Sequence, residues 1–303
     1  MINKLFEMLS PSGAEDKIRN FITKQISDIF DSVTVDNIGN LIVHKEGNGK
    51  KICIECGMDN CGIMIVSVEP GKAFFSGVGQ LSPSYLVDKR IIMNNSNWGI
   101  VRYNGENPST AKLSELYLEI DTEDIKIGDF GIVYPDFIET DCDFFANGLS
   151  DILPAAAVIS AVTSANIGVD LTVVFSSQKA LGGRGLRSYF GVNSFDKVFT
   201  INCCECNNNA TNGKGCALIV KDKSAVADVG LRKELESVAA TNSVKIQPSV
   251  SSENFFIGNI AHSGKGNSCV CICIPVSYKG KTLEQANKND FNETARLIQQ
   301  IIK

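Results

Sequence analysis

The chain has 303 residues and a formal net charge of −5 at pH 7. Hydrophobic residues make up 44% of the sequence and charged residues 21%, which is typical of a globular protein with a substantial core. The acidic balance argues against a nucleic-acid-binding surface. The most apolar long stretch, residues 153–169, is interrupted by polar residues and is too short to span a membrane.

The cysteine content bears on the compartment. The first 16 residues contain no apolar secretion signal, so we expect a cytoplasmic protein whose 11 cysteines stay reduced. Cys269, Cys271 and Cys273 alternate with apolar residues, which predicts a buried strand with its thiols on one face.

The first quarter of the chain predicts a helix and a hairpin. Residues 12–15, Ser-Gly-Ala-Glu, form a capping-box pattern, and apolar residues at helical spacing follow it. Residues 32–35 and 41–44 have strand composition and are separated by a turn, which predicts a β-hairpin. Residues 51–56 predict a short buried strand.

The next segment, residues 63–134, differs in character. Short strand-like pieces alternate with glycine and asparagine turns, and no convincing amphipathic helix appears. This pattern is typical of a small β-barrel or sandwich. We therefore predict an inserted β domain at residues 65–137, and an α/β domain formed by residues 1–64 together with residues 138–303.

The second half predicts alternating helices and strands. The expected helices are residues 153–163, 229–241 and 290–302, and the expected strands are residues 171–175, 197–201 and 269–275. Such alternation predicts an α/β fold, a mixed sheet with helices on both faces.

The turn after residues 171–175 is the first candidate for chemistry. That apolar run has the composition of a strand buried on both faces, and polar residues and a glycine-rich turn follow it directly. In open α/β sheets, ligands bind just beyond the carboxyl ends of the strands. We therefore expect a functional site near residues 178–184.

This turn also carries a resemblance to a known family. Residues 178–185, Gln-Lys-Ala-Leu-Gly-Gly-Arg-Gly, resemble the Gln-Glu-Glu-Val-Gly-Leu-Arg-Gly segment of the tetrahedral or glutamyl aminopeptidases, the cellulase-M-like metallopeptidase family 42. The similarity continues along nearly the whole chain. It implies a zinc-peptidase-like three-layer core with an inserted β-barrel, and a metal-dependent aminopeptidase that uses two zinc or cobalt ions.

The residues that would perform this chemistry are replaced. The positions at which the resemblance implies metal ligands, and the general-base position, are occupied by Gly57, Ser150, Ala180, Asn202 and Gly280, and by Lys179. Glycine and alanine supply no side-chain donor, and serine and asparagine supply only neutral oxygens, whereas a dinuclear zinc site needs anionic or imidazole donors. A charged lysine cannot accept a proton. The chain's two histidines, His44 and His262, fall at no ligand position.

Two acidic positions are retained. Asp59 matches the aspartate that orients a metal-binding histidine in the family, and Asp151 matches a further aspartate. Since no metals would balance these carboxylates, we predict that the ammonium group of Lys179 pairs with one of them. The alternative is that Lys179 turns to solvent.

These replacements predict a family member without metal or peptidase activity, acting as a structural, regulatory or peptide-binding subunit. One alternative is an active aminopeptidase with a rebuilt site, and another is a different enzyme that uses Lys179 or a cysteine. Cysteines at positions 56, 61, 203, 204 and 206 are close to the metal site that the resemblance implies, but their spacing is not that of usual zinc motifs. The resemblance further implies a homo-oligomer or a hetero-oligomer with an active relative. We expect no nucleic-acid or membrane partner.

Overall fold

The computed structural model describes residues 2–281 and 283–303. The α-helices in these residues are α1 (Ile2–Phe6), α2 (Asp16–Ile26), α3 (Pro83–Leu86), α4 (Leu149–Ser164), α5 (Arg184–Val192), α6 (Val229–Thr241), α7 (Ile257–Ala261) and α8 (Lys288–Ile301). Single 3₁₀ turns occupy Ser27–Ile29, Pro108–Thr110 and Leu113–Glu115.

The strands belong to two sheets. They are β1 (Ser32–Val35), β2 (Leu41–Lys45), β3 (Asn48–Gly57), β4 (Gly62–Glu69), β5 (Lys72–Val78), β6 (Arg90–Met93), β7 (Trp98–Tyr103), β8 (Leu116–Glu119), β9 (Phe130–Val133), β10 (Ile138–Glu139), β11 (Asp143–Ala146), β12 (Val169–Ser176), β13 (Lys197–Glu205), β14 (Cys216–Lys221), β15 (Ile246–Val250), β16 (Cys269–Ser277) and β17 (Glu284–Asn287).

The larger sheet is mixed. Its main path runs β1-β2-β12-β3-β13-β16-β17-β11-β10, with β14 beside β16 and β15 beside β14. The central neighbours β12, β3, β13 and β16 run parallel, whereas the outer pairs on the main path are antiparallel. The carboxyl ends of the four central strands therefore meet at one edge of the sheet.

Helices cover both faces of this sheet, which confirms the predicted α/β fold. Helices α2, α4, α6 and α8 contribute to the hydrophobic core on one face. Helices α5 and α7 contribute to a separate core on the other face. The thiols of Cys269, Cys271 and Cys273 lie in this second core, as their alternation predicted.

Helix α4 positions part of the site. It was predicted from residue 153 but begins at Leu149, after Gly148 in a left-handed conformation with φ of 69°. Its buried alanines let the backbone pack closely under the sheet. As a result, Ser150 and Asp151 lie in the first turn of α4, where they face the site described below.

The smaller sheet is a closed barrel with the strand order β4-β5-β8-β7-β6-β9. Its interior is filled by its own cluster of apolar side chains, including Ile65, Ile91 and Leu118. The barrel strands lie between Gly62 and Val133, and the main sheet resumes at Ile138. The predicted domain division at 64/65 and 137/138 stays a prediction.

Several local expectations hold. The hairpin is formed by β1 and β2, and α6 coincides with the predicted helix 229–241. The expected central strand, residues 171–175, lies inside β12 and is buried. None of the helices in residues 2–281 and 283–303 is long and apolar enough to cross a lipid bilayer.

Candidate functional site

A cleft of about 510 Å³ opens at the carboxyl ends of the central strands. It is lined by both retained aspartates and by five of the six replaced positions: Asp59, Asp151, Gly57, Ser150, Lys179, Ala180 and Asn202. Gly280 lines a smaller adjoining cavity of about 90 Å³, which shares Ser150 and Asp151 with the cleft. The fold therefore brings five of the six replaced positions together around the cleft and places Gly280 in the adjoining cavity, whereas neither His44 nor His262 lines either space.

The turn from β12 to α5 forms one wall of the cleft. Gly182 and Gly183 have φ of 83° and 69°, the positive values expected for this glycine-rich turn. A side chain on Gly183 would meet the ring of Phe256, since an added Cβ would lie 2.8 Å from it. The turn therefore has a conformational and packing role.

Asp59 is held by this turn. Its carboxylate accepts hydrogen bonds from the backbone N–H groups of Lys179 and Ala180, both at 2.9 Å, and from the hydroxyl of Ser12. Burial raises the pKa of Asp59, and these three donors oppose that shift. The retained aspartate thus fastens the turn after β12 to the end of β3.

Ser12 and Glu15 were expected to form a capping box, and this prediction was wrong. Helix α2 begins at Asp16 without a side-chain cap. Ser12 donates to Asp59, and the Glu15 carboxylate accepts from the backbone N–H groups of Gly13 and Gln178, at 2.8 and 2.9 Å. The sequence signal was local, but both side chains have partners elsewhere in the fold.

The ammonium group of Lys179 has a different partner from those predicted. We expected it to pair with Asp59 or Asp151, but Nζ lies 3.6 Å from Oε1 of Glu55, a fully buried carboxylate on β3. Glu55 also accepts hydrogen bonds from the hydroxyls of Ser176 and Thr200, both at 2.6 Å. The Lys179 side chain is only 16% exposed, so the solvent-facing alternative is also wrong.

The replacement at Gly57 makes room for this lysine. A Cβ added to Gly57 would lie 2.5 Å from Cδ of Lys179, closer than real Cβ contacts allow. The lysine stem therefore crosses the space that any side chain at position 57 would need. Lys179 can therefore adopt this conformation only because position 57 is a glycine.

The other end of the cleft is tied together by Glu284, which sequence reasoning missed. Its buried carboxylate accepts hydrogen bonds from the N–H and hydroxyl of Ser150, at 2.6 and 2.9 Å, and from the N–H of Gly280, at 2.5 Å. Burial raises the pKa of Glu284, and the three donors oppose the shift. The hydroxyl of Ser150 is thus committed to a carboxylate.

Asp151 is the least satisfied carboxylate of the cleft. Its Oδ2 accepts a hydrogen bond from the N–H of Cys61 at 3.2 Å. Burial, followed by the nearby charge of Glu284, raises the pKa of Asp151 to about 7. A substantial fraction of this side chain is therefore uncharged at neutral pH.

A second lysine, Lys279, also lines the cleft. Its ammonium group donates to the backbone carbonyl of Cys203 at 2.9 Å and pairs with Glu253. Burial alone would lower the pKa of Lys279, but the Glu253 carboxylate raises it above its ordinary value. Sequence reasoning missed this cation, although it directly precedes Gly280.

Asn202 completes the wall between the two lysines. Its side-chain amide donates to the hydroxyl of Thr200 at 2.9 Å and to the sulfur of Cys271 at 3.5 Å. This neutral amide continues the polar network that starts at Glu55. It brings no negative charge to the cleft.

The residues present do not fit the metal pair that the resemblance implies. Within the described part of the chain, no three His, Cys, Asp or Glu side chains form a group able to hold a metal ion. The stem of Lys179 lies at the first ligand position, Gly57, and its ammonium group pairs with Glu55. Burial raises the pKa of the Cys203 thiol, which also lines the cleft, well above its ordinary value, and this favours the protonated form over a metal-binding thiolate. The described residues of the cleft therefore lack the donor set that a dinuclear metal site needs.

Comparison with known proteins identifies the family. A family model described as M42 glutamyl aminopeptidase matches residues 39–297. A relative from Acetivibrio thermocellus is 27% identical over an alignment that covers 100% of this chain and 97% of the relative.

Solved structures share the fold. An aminopeptidase from the archaeon Desulfurococcus kamchatkensis superposes with a TM-score of 0.92 at 20% identity, covering 99% of this chain and 93% of that one. The TET peptidase of Pyrococcus horikoshii, whose description states that it can assemble into a tetrahedron or a large octahedral shell, gives 0.90 at 22% identity, with coverage of 99% and 98%. Since the family model matches most of its length, the chain belongs to the M42 glutamyl aminopeptidase family.

Proposed function

We propose that this chain is a family member without metallopeptidase activity, which acts as a structural, regulatory or peptide-binding subunit. The observation that carries the proposal is the coupled pair of Gly57 and Lys179. The lysine stem fills the space beside Gly57, and its ammonium group lies over the buried Glu55. A cation in this place repels metal ions and cannot act as a base while charged.

The remaining replacements support the same conclusion. The hydroxyl of Ser150 donates to Glu284, and Gly280 and Ala180 offer no donor side chain. Peptide hydrolysis of the kind expected in the family needs a metal-activated water and a carboxylate base. No residue at these positions can supply either.

Assembly is a separate part of the proposal. We propose that the chain forms homo-oligomers, or hetero-oligomers with an active relative, in the cytoplasm. The assembly described for the TET peptidase of Pyrococcus horikoshii, together with the retained β-barrel, supports self-association. Cysteines that remain unpaired across the described residues are in keeping with a reducing compartment.

The proposal is tested on the purified protein incubated in turn with zinc, cobalt and manganese. Elemental analysis measures bound metal, and a panel of amino-acyl reporter substrates measures hydrolysis. We expect neither stoichiometric metal nor turnover with any metal. About two metals per chain together with turnover would establish the alternative, an active aminopeptidase with a rebuilt site.

A further inference from the structure

The ammonium group of Lys179 has unused hydrogen-bond donors at the floor of the cleft. Its distance of 3.6 Å from Glu55 is an ionic contact but is too long for a hydrogen bond. Among the described residues, the Lys179 side chain makes no hydrogen bond, and it is 16% exposed where it lines the cleft. An ammonium group carries three N–H donors, so Lys179 can donate to a ligand that enters the cleft.

The lysine is also held in place. Its stem packs against Gly57, and its backbone N–H donates to Asp59 at 2.9 Å. Glu55 lies behind the ammonium group and has both oxygens engaged by hydroxyl groups. A ligand that meets a positioned donor loses less side-chain entropy on binding than one that must order it.

Further cations lie along the same cleft. Arg187, on α5, and Lys223 both line it and are exposed, and no carboxylate lies within salt-bridge distance of either among residues 2–281 and 283–303. Three acidic residues line the cleft, and two of them have several partners or an ion pair, whereas Asp151 accepts one hydrogen bond. Asp59 accepts three hydrogen bonds, and Glu253 pairs with Lys279.

We propose that the cleft binds the carboxylate group of a small organic acid or a short peptide, with Lys179 as its anchor and Arg187 and Lys223 drawing it in. This proposal rests on the proposed function, because two bound metals would displace the lysine. The Phe256 ring, which also lines the cleft, offers an apolar surface for the body of the ligand. A carboxylate is favoured because hydrogen bonds between charged partners are the strongest available to an ammonium donor.

The test is isothermal titration of the whole protein in a chelator at low ionic strength. The probes are two matched pairs: glutarate against glutaramide, and trialanine with a free against an amidated carboxyl terminus. We expect each carboxylate that binds to do so about 10-fold or more tightly than its amide. Binding confined to glutarate identifies a free acid, and binding confined to trialanine identifies a peptide. Equal binding of acid and amide, or no binding of either acid at about 10 mM, overturns the proposal.

Variants locate the anchor. Lys179→Met is expected to weaken carboxylate binding about 10-fold or more. The double variant Arg187→Gln with Lys223→Gln should weaken carboxylate binding about 3-fold or more and reduce its dependence on salt concentration. Because both residues are exposed, this variant still tests the proposal if Lys179→Met does not fold. Lys233→Gln, an exposed lysine on α6, is the matched control and should bind like the parent.

Unchanged binding in the Arg187 and Lys223 variant overturns the proposal, as does unchanged binding in a folded Lys179→Met. Metal content and hydrolysis, measured on the same preparations, separate the two hypotheses. Bound metal with turnover would refute the proposed loss of activity, whereas loss of the carboxylate preference would refute only this inference.

Discussion

Replacing Lys179 by methionine tests the pairing of its ammonium group with Glu55. Methionine keeps most of the apolar stem and removes the charge, which strands a fully buried carboxylate. With an effective dielectric constant of about 20, two unit charges 3.6 Å apart attract by about 4.6 kcal/mol. Removing one partner of a buried pair typically costs about 3–5 kcal/mol.

We expect a loss of about 3 kcal/mol at pH 7, at the lower end of this range, because the hydroxyls of Ser176 and Thr200 still donate to Glu55. The double variant Lys179→Met with Glu55→Gln should recover about 2 kcal/mol, since no unpaired charge remains. Lys197→Met is the matched control. Lys197 is 15% exposed against 16% for Lys179, but its partner Glu234 is 49% exposed. An ion pair with such an exposed partner contributes about 1 kcal/mol or less to stability.

The assay is urea denaturation followed by far-ultraviolet circular dichroism. Tryptophan fluorescence is unsuitable for this purpose, because the single tryptophan, Trp98, lies in the barrel. A loss below about 0.5 kcal/mol for Lys179→Met, as at an ordinary surface site, would refute the buried pair. So would a loss equal to that of Lys197→Met, because burial of the acidic partner would then not matter.

Four further outcomes concern other residues of the cleft and the assembly of the protein. Gly57→Ala should destabilise the protein by about 1–3 kcal/mol, because the added methyl group crowds the stem of Lys179. In the double variant Gly57→Ala with Lys179→Ala this cost should disappear, and urea denaturation of the single and double variants measures it. Glu284→Gln should cost about 1–3 kcal/mol, because the amide NH2 group would replace one oxygen and could not accept the hydrogen bonds made to it. A neutral effect on unfolding would count against the network. The pKa of Asp151 is raised from 3.8 to about 7 in the folded state, so the folded state binds a proton more tightly than the unfolded state does. The free energy of unfolding should therefore fall as pH rises from about 4 to about 7. Asp151→Asn should flatten this decline in a pH series of melting curves. Finally, sedimentation at tens of micromolar should show self-association, and a strict monomer would contradict the proposed assembly.

The fold was largely accessible from the sequence because its signals are local. Hydrophobic periodicity located α6 and β12, and regular short strands between turns indicated the barrel. The boundary of α4 was missed by four residues because Ser150 and Asp151 are polar, and in the fold they face the cleft.

The site was predictable only in part. The resemblance named the positions that meet at the cleft, but the partner of Lys179 depends on where β3 runs beneath it. A signal for Glu55 was present, because it is the only charged residue in the buried run 52–57, and buried charges need a partner. Glu284 gave no such signal, since it follows Leu283 and precedes Gln285 without a continuous apolar run, and only the tertiary fold buries it.

Loss of the metal site is tested most directly by anomalous diffraction from crystals of the whole protein soaked in zinc and then in cobalt. We expect no anomalous peak between Gly57, Ser150 and Asn202, and an ammonium group of Lys179 that stays beside Glu55. A strong peak at that place, with the Lys179 side chain displaced from the space beside Gly57, would show that the metal site is retained.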